Sequence, residues 1–273
     1  MMQSLFYTEN NHLHFSHVRY SNTENYKILT HTHEFPELLY ITEVSGSHIT
    51  EDKKYTLKSG DLILTPPAVS HRMEFDASMP YERYCIVFDT PVLGDIDIEK
   101  IYENITVINC DKHSMISDIF KKADYYHKIL PENDFQNMLD LLIKEIFYNL
   151  SVYDGNQGYV PSVISPILSR AINYINENLY EINSVSDVSN ALFIAESYLF
   201  KIFKEQLKTT PKKYITSKKL HLARKSILLG AKPTDIYFSA GYTEYSAFYK
   251  SYVKFFSHAP GKEKDYGFNA DKL

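Results

Sequence analysis

The hydrophobic rhythm of the chain changes along its length. Up to about residue 90, apolar positions come in short runs or in strict alternation. Leu13, Phe15 and His17 alternate with polar neighbours, and 38–44, 55–57, 62–65 and 84–88 are short β-rich runs. Gly46, Gly60, Pro66-Pro67 and Pro80 punctuate them. Many short strands with turn signals predict an antiparallel sandwich or barrel. The period then becomes helical. Met115, Ile119, Ala123, Tyr126 and Leu130 form one stripe, Pro131 interrupts, and Phe135, Met138, Leu139, Leu142, Ile146 and Leu150 form a second. The pair predicts an antiparallel helical hairpin. Asp154–Gly158 has linker composition, and from there to about residue 266 the pattern reads as helices.

Within that last stretch one arrangement occurs twice. Val185 and Val188 share a helix face, a turn at 192–194 follows, and then comes the amphipathic run 196–203. Further on, Ile236 begins a short helix, Gly241-Tyr242 makes the turn, and 243–252 is the amphipathic run. Leu199 and Phe203 are four apart, as are Phe248 and Tyr252, so each pair lies on one helix face. Pro211 and Pro260 each follow the second of these by eight residues. Glycine at 241 suits a turn that needs positive φ, and Thr243 is placed to N-cap the helix after it. A short helix, a tight turn and a second amphipathic helix is the plan that exposes one helix to a DNA major groove. Residues 212–229 read as a connecting helix with Leu220, Ala223 and Ile227 on a common face. Eighteen residues at about 1.5 Å each span roughly 27 Å, comparable with the roughly 34 Å of one DNA turn.

Charge sharpens this division. The 273 residues carry a net −5, but residues 1–159 hold 13 Lys and Arg against 24 Asp and Glu, and residues 160–273 hold 16 against 10. The basic half suits a polyanion. Cys85 and Cys110 are too few for a disulfide framework or a Cys-rich zinc site and read as buried thiols in a reducing compartment. No run of eighteen apolar residues suggests a membrane span. Met1–Phe15 lacks the apolar stretch of a signal peptide. The expected location is the cytoplasm.

Residues about 165–266 resemble the DNA-binding domain of AraC/XylS-type regulators. The second unit of that family reads as Ile-Ala, three residues, Gly-Phe, three residues, Ser, any residue, Phe, then an aromatic-Lys, ending near a Pro. Ile236, Gly241-Tyr242, Ser246, Phe248, Tyr252 and Pro260 stand in those places here. Departures are Tyr237 for a small Ala, Phe193 for a turn Gly, Ala195 for a capping Ser, and Lys208 and Ser257 for Gly after the recognition helices. The resemblance implies that Ser197, Phe200, Lys201 and Lys204 of the first recognition helix and Tyr245, Ser246, Tyr249 and Lys250 of the second read DNA. Lys can reach guanine or phosphate, Ser a phosphate or base edge, and an aromatic a thymine methyl. For Phe200 and the tyrosines, local packing is the competing reading.

In the N-terminal part, His31-x-His33-x-x-x-Glu37, then Gly60 and Pro66, then His71 resemble the two motifs of the cupin barrel, departing at Ala68 (usually Gly) and Phe75 (usually Asn). An alternating His pair on a strand projects both imidazoles to one face. His31, His33, Glu37 and His71 are therefore the candidate effector-binding residues. They are also the candidate ligands of a divalent metal, and core histidines satisfied by hydrogen bonds are the third reading. Tyr40, Arg72, Glu74, Tyr81 and Tyr84 are further polar candidates.

The expected architecture is multidomain α+β. A cupin-like sensory antiparallel β-barrel covers 1–110, and a helical hairpin over 111–152 serves dimerisation. A linker covers 153–162, and an all-α double helix-turn-helix domain covers 163–273. By resemblance, the chain is a transcription regulator and not an enzyme. Its expected partners are double-stranded DNA, a small-molecule effector that in relatives is frequently a sugar, a second copy of the chain and RNA polymerase. No cofactor or membrane is expected. The alternatives are a metal-dependent cupin enzyme with an accessory helical domain, and a regulator controlled by a protein partner.

Overall fold

The structure is a computed structural model that describes residues 2–9, 13–23, 28–76, 79–104, 106–110, 114–153, 162–163, 165–228 and 230–265. The N-terminal part is built from two antiparallel sheets. Strands β1 (Met2–Glu9), β2 (Leu13–Tyr20), β9 (Tyr81–Phe88), β4 (Glu37–Glu43), β7 (Asp61–Thr65) and β10 (Val107–Asn109) pair in that order. The facing sheet runs β11 (Ser162–Val163), β6 (Lys53–Leu57), β5 (Gly46–Thr50), β8 (His71–Phe75) and β3 (Ile28–His31). Gly46, read from sequence as punctuation, instead opens β5. A Cβ there would run into the Glu74 carbonyl of the neighbouring strand, so the missing side chain permits the close approach. Residues 154–161 of the expected linker 153–162 lie outside the described residues. Ser162, its last residue, and Val163, expected to open the all-α domain, instead form β11, which joins the sandwich by pairing with Lys54 and Lys53.

The six-stranded sheet is covered on both faces, which explains why its central strands are apolar runs rather than alternating ones. Leu39, Ile41, Ile63, Cys85 and Val87 point between the sheets with Tyr55, Met73 and Tyr81. Leu38, Tyr40, Leu62, Leu64, Tyr84, Ile86 and Phe88 point the other way, onto a helical layer. That layer is α1 (Ile98–Asn104) with the hairpin of α2 (Ser114–Ile129) and α3 (Glu132–Ser151). The hairpin buries Ile116, Ile119, Phe120 and Ala123 of α2 and Phe135, Leu139, Leu142, Ile146 and Leu150 of α3. Met115, expected on the buried stripe, is exposed instead. Tyr40 stacks on Phe120 at 4.5 Å, and the Tyr84 hydroxyl donates to Asp124 of α2 at 2.6 Å. Both tyrosines thus serve the helix contact and not the histidine face. Both cysteines are free and buried.

The C-terminal part is helical: α4 (Pro166–Glu177), α5 (Val185–Ala191), α6 (Glu196–Gln206), α7 (Pro211–Leu228), α8 (Pro233–Ile236) and α9 (Tyr245–Phe256). It has two cores. Leu168, Ile172, Ile175, Val188, Leu199, Phe203 and Tyr214 make the first, and Leu220, Ala223, Ile227, Ile236, Phe248, Tyr252 and Phe256 the second. The connector α7 contributes to both. Ile236 closes α8 rather than opening a helix.

Candidate DNA interface and ligand site

Each helix-turn-helix unit is set by local chemistry. At the start of α5, the Asp187 carboxylate accepts the backbone N–H of Ser184 and of Asn183, each at 2.8 Å. These bonds hold its pKa below the ordinary carboxylate value. The first turn closes through Phe193, whose N–H reaches the Asn190 carbonyl at 3.1 Å, and Ile194, whose N–H reaches Ser189 at 3.0 Å. Phe193 sits at φ 55°, the left-handed region that glycine adopts most readily. In the second unit Gly241 occupies its turn at φ 78°. A Cβ there would collide with the Lys219 side chain, whose ammonium donates to the Ile182 carbonyl at 2.6 Å. Gly241 therefore serves both the turn and a link between the units. Thr243 is not the N-cap: Glu244 holds that position, with no side-chain cap hydrogen bond. Ala195 caps α6 equally without one.

The recognition helices are two-faced as the spacing required. In α6, Leu199, Ile202 and Phe203 are buried, while Ser197, Phe200, Lys201 and Lys204 are exposed. Phe200 is 44 % exposed, which argues against a packing role. In α9, Phe248, Tyr252 and Phe256 are buried, while Ser246, Tyr249 and Lys250 are exposed. Tyr245 differs. It is half-buried, its ring 6.0 Å from Tyr237 and 6.1 Å from Phe248, so much of it packs the unit. Sequence reasoning missed Glu196, Tyr198 and Glu244, which also face outward at the starts of these helices. Glu244 lies 3.3 Å from the Ser246 hydroxyl, which donates to it, and a carboxylate there suits a cytosine amino group. Phe238, 76 % exposed, also escaped notice, and Phe193, noted only as a departure from the turn glycine, is 92 % exposed, because an apolar pattern alone assigns aromatics to the interior.

Behind α9 lies a buried polar group. Glu263 accepts from Arg224 of α7, from the Tyr252 hydroxyl and from His258 Nε2, the last at 2.6 Å. Burial alone would raise its pKa. The His258 bond, the Arg224 charge and the Tyr252 bond outweigh that and hold it at about 2.

At one end of the sandwich the structure brings the expected cluster together. His31 is paired with His71 across β3 and β8. Nitrogens of His31, His33 and His71 all lie within 4.8 Å of one another. Glu37, buried at the start of β4, places its carboxylate oxygens 3.5 Å from His33 Nε2 and 3.2 Å from His71 Nε2. Burial would raise the Glu37 pKa, but the two imidazoles outweigh it and hold it well below the usual carboxylate range. His48, on β5, is a fourth ring, 5.7 Å from His71, which sequence reasoning passed over. Burial lowers its pKa to about 3 and keeps it neutral. Among the described residues, neither ring nitrogen of His33 or of His48 makes a hydrogen bond. Arg72 and Glu74 pair with each other at 3.0 Å, away from this cluster.

The barrel and α7 meet directly. Arg224 donates to the Glu34 carbonyl at 3.1 Å, and its guanidinium lies 4.7 Å over the Phe35 ring. Lys218 pairs with Glu51 at 3.2 Å and Lys225 with Glu99 at 2.6 Å, and the Tyr214 hydroxyl donates to Glu51.

A sandwich with a polar end, a helical hairpin and two exposed recognition helices defines a two-domain regulator class, in which a ligand-binding domain precedes a DNA-binding one. An AraC-like ligand binding domain model matches residues 14–150, and a helix-turn-helix domain model matches residues 188–265. The chain belongs to the AraC family of DNA-binding transcription regulators. It is 23% identical over 224 residues to the lactose operon transcription activator of Staphylococcus xylosus, covering 79% of this chain and 78% of that one. It is 23% identical over 230 residues to the raffinose operon transcriptional regulatory protein RafR of Pediococcus pentosaceus, covering 81% of each. The probable transcriptional regulator LumQ of Photobacterium leiognathi is 22% identical over 232 residues, covering 84% of this chain and 89% of that one. A solved structure of ToxT from Vibrio cholerae aligns over 94% of this chain and 100% of that chain, at 12% identity and TM-score 0.40. Family and relatives are regulators, which sets aside the metal-dependent enzyme. Among the described residues, no helix is long and apolar enough to cross a membrane.

Proposed function

We propose that this regulator binds promoter DNA in the cytoplasm as a homodimer, under control of a small-molecule effector of the carbohydrate class. The observation that carries DNA reading is the pair of recognition helices, each with a buried apolar face and an outward face of Lys, Ser and aromatic side chains. Ser197, Phe200, Lys201, Lys204, Ser246, Tyr249 and Lys250 are the proposed contacts, with Tyr245 supporting from behind. Support for the effector class comes from relatives named for lactose and raffinose operons. His31, His33, Glu37 and His71 are its proposed polar contacts, because their ring nitrogens and carboxylate are gathered at one end of the sandwich. RNA polymerase is the proposed downstream partner. Effector binding favours one arrangement of the dimer and shifts its population.

The test is fluorescence anisotropy with the DNA upstream of the chain's own reading frame, titrated with lactose, raffinose and related sugars. DNA affinity should fall with salt, by about −0.9 in log–log slope per phosphate contacted. It should also change with one of the sugars. A flat salt response removes the DNA reading, and indifference to every sugar removes the effector class.

One observation favours a second reading of the histidines. Three imidazoles and a carboxylate within reach of a common point form a donor set that fits a divalent first-row ion. Metal analysis of the purified protein before and after chelator dialysis separates the readings. Stoichiometric metal that is lost from His33→Ala supports the ion.

A further inference from the structure

The two helix-turn-helix units repeat in the structure with a period of 49 residues. That step takes the N-cap Ala195 to Glu244, buried Leu199, Phe203 and Leu207 to buried Phe248, Tyr252 and Phe256, and Pro211 to Pro260. It also takes left-handed Lys208, φ 54°, to left-handed Ser257, φ 66°. In this register the outward faces share one trio. Ser197, Phe200 and Lys201 of α6 correspond to Ser246, Tyr249 and Lys250 of α9, and all are exposed. We propose that Phe200 and Tyr249 are specificity-determining residues, each reading the C5-methyl group of a thymine. The DNA site then carries a thymine at the matched point of two successive major grooves.

Three observations define that chemistry. First, both rings are held out of the core. Phe200 and Tyr249 are 44 % and 41 % exposed, whereas Leu199 and Phe248, one position earlier, are fully buried. One exposed aromatic on a surface needs no explanation. The same exposure at the same place in both repeats calls for a common apolar partner. Tyr198, also exposed, has no such counterpart, because Ala247 stands in its place. Second, the rings sit among groups that meet DNA. A Ser three positions before and a Lys one position after each ring suit phosphates and polar base edges. Third, Phe200 has no hydrogen-bonding atom, so it adds nothing to a phosphate or to a polar edge. The apolar group that base pairs present in the major groove is the thymine methyl. Tyr249 is braced by Tyr245, whose ring is 6.2 Å away, without being covered by it.

The rest of the two faces differs. Glu196 corresponds to Tyr245, Tyr198 to Ala247 and Lys204 to Val253. The stretches read by the two helices therefore share the thymine and diverge around it. Lys201 and Lys250 place a charge beside each ring, but lysine serves phosphate and guanine alike. The aromatic, and not the lysine, fixes the shared base. The connector α7 has 18 residues and spans roughly 27 Å. That is comparable with one DNA turn, so the matched thymines lie about ten base pairs apart. The thymine contacts rest on α6 and α9 lying in the groove, which the experiment scores separately.

The probe is the duplex that the full chain enriches from a randomised pool over successive rounds of binding. Each thymine of that duplex is replaced singly by uracil, which removes the methyl and nothing else. The expected result is two uracil-sensitive thymines per bound chain, about ten base pairs apart. Each replacement weakens affinity roughly three- to fivefold, the worth of one methyl group taken out of water. Phe200→Ala abolishes the sensitivity of one thymine and leaves the other, and Tyr249→Ala does the reverse. Tyr249→Phe keeps the sensitivity of its thymine, because the ring and not the hydroxyl meets the methyl. Thermal melts confirm that each variant is folded. A duplex indifferent to uracil throughout, or sensitivity that survives both alanine variants, overturns the thymine contacts and leaves the DNA reading standing. A single sensitive thymine per chain overturns the matched pair. Failure to enrich any duplex overturns the thymine contacts and the DNA reading together.

Discussion

Ala68, Phe193, Lys208 and Ser257 hold φ angles of 62°, 55°, 54° and 66°. All four stand where the resembling motifs carry glycine, and the backbone takes the left-handed turn there without it. A left-handed non-glycine costs about 1–2 kcal/mol, partly offset by the entropy glycine loses on folding, roughly 0.5–1 kcal/mol. Phe193→Gly should therefore stabilise the protein by up to about 1 kcal/mol, because the 92 % exposed ring has little packing to lose. A denaturant melt whose midpoint does not rise counts against this account. Glu263 is the opposite case. Removing one partner from a buried pair costs about 3–5 kcal/mol, so Glu263→Ala should destabilise the DNA-binding domain and loosen α9. Its depressed pKa also fixes a sign. The stabilisation is present above the ordinary value of 4.5 and is lost as pH falls through about 2. Glu263→Gln should flatten the loss of stability between those values in melts run across acid pH. The four glycine-like positions were legible from the motifs, whereas the Glu263 group was not, since residue 263 follows the expected second unit and Arg224 lies 39 positions before it.

At the scale of elements, the two recognition helices differ in how firmly they are set. The second has glycine in its turn, whereas the first has Phe193 there, and neither has a side-chain N-cap. Lys250 on α9 should make base contacts and Lys201 on α6 phosphate contacts. Lys250→Ala should then cost roughly 1–3 kcal/mol on the cognate site and relax specificity at one position. Lys201→Ala should weaken all sequences alike and reduce the salt slope by about 1. Titrating both variants against single-base changes of the site decides. If relative affinities survive Lys250→Ala, Lys250 does not read bases. If neither variant binds differently, these helices are not in the groove. The amphipathic spacing of Leu199/Phe203 and Phe248/Tyr252 was readable because a helix packed on one side must repeat every three to four residues. The failed Thr243 cap was not, because one residue of slack in a turn moves the cap without disturbing that repeat.

Across the whole molecule, the outer face of the α2–α3 hairpin keeps Met115, Tyr125, Ile129, Leu141 and Tyr148 exposed. Such a set on one layer is expected to cover itself with a second copy. Leu141→Arg with Ile129→Glu should convert a dimer into a monomer without loss of fold. Sedimentation of the full chain at micromolar concentration checks it, and a wild-type monomer there would sink the hairpin as the joint. Binding to a paired operator should fall with dimerisation, because two half-sites are then no longer held by one particle.

The sequence by itself determined the β-rich front, the helical hairpin and the helical C-terminal part, and it pointed to the family. Local periodicity, turn glycines and charge drift need only near neighbours to be meaningful; the expected pairing of His31 and His33 on one strand failed, because β3 ends at His31, His33 lies in the connection, and Glu37 opens β4. Tertiary structure alone decided which polar groups meet. It added His48 to the histidine cluster, turned Tyr40 and Tyr84 toward α2, and buried Glu263 under Arg224. It also set Phe35 and Tyr102 across a cleft from α7. Those partners lie tens to hundreds of residues apart, and no period in a chain records which of its faces will close on one another.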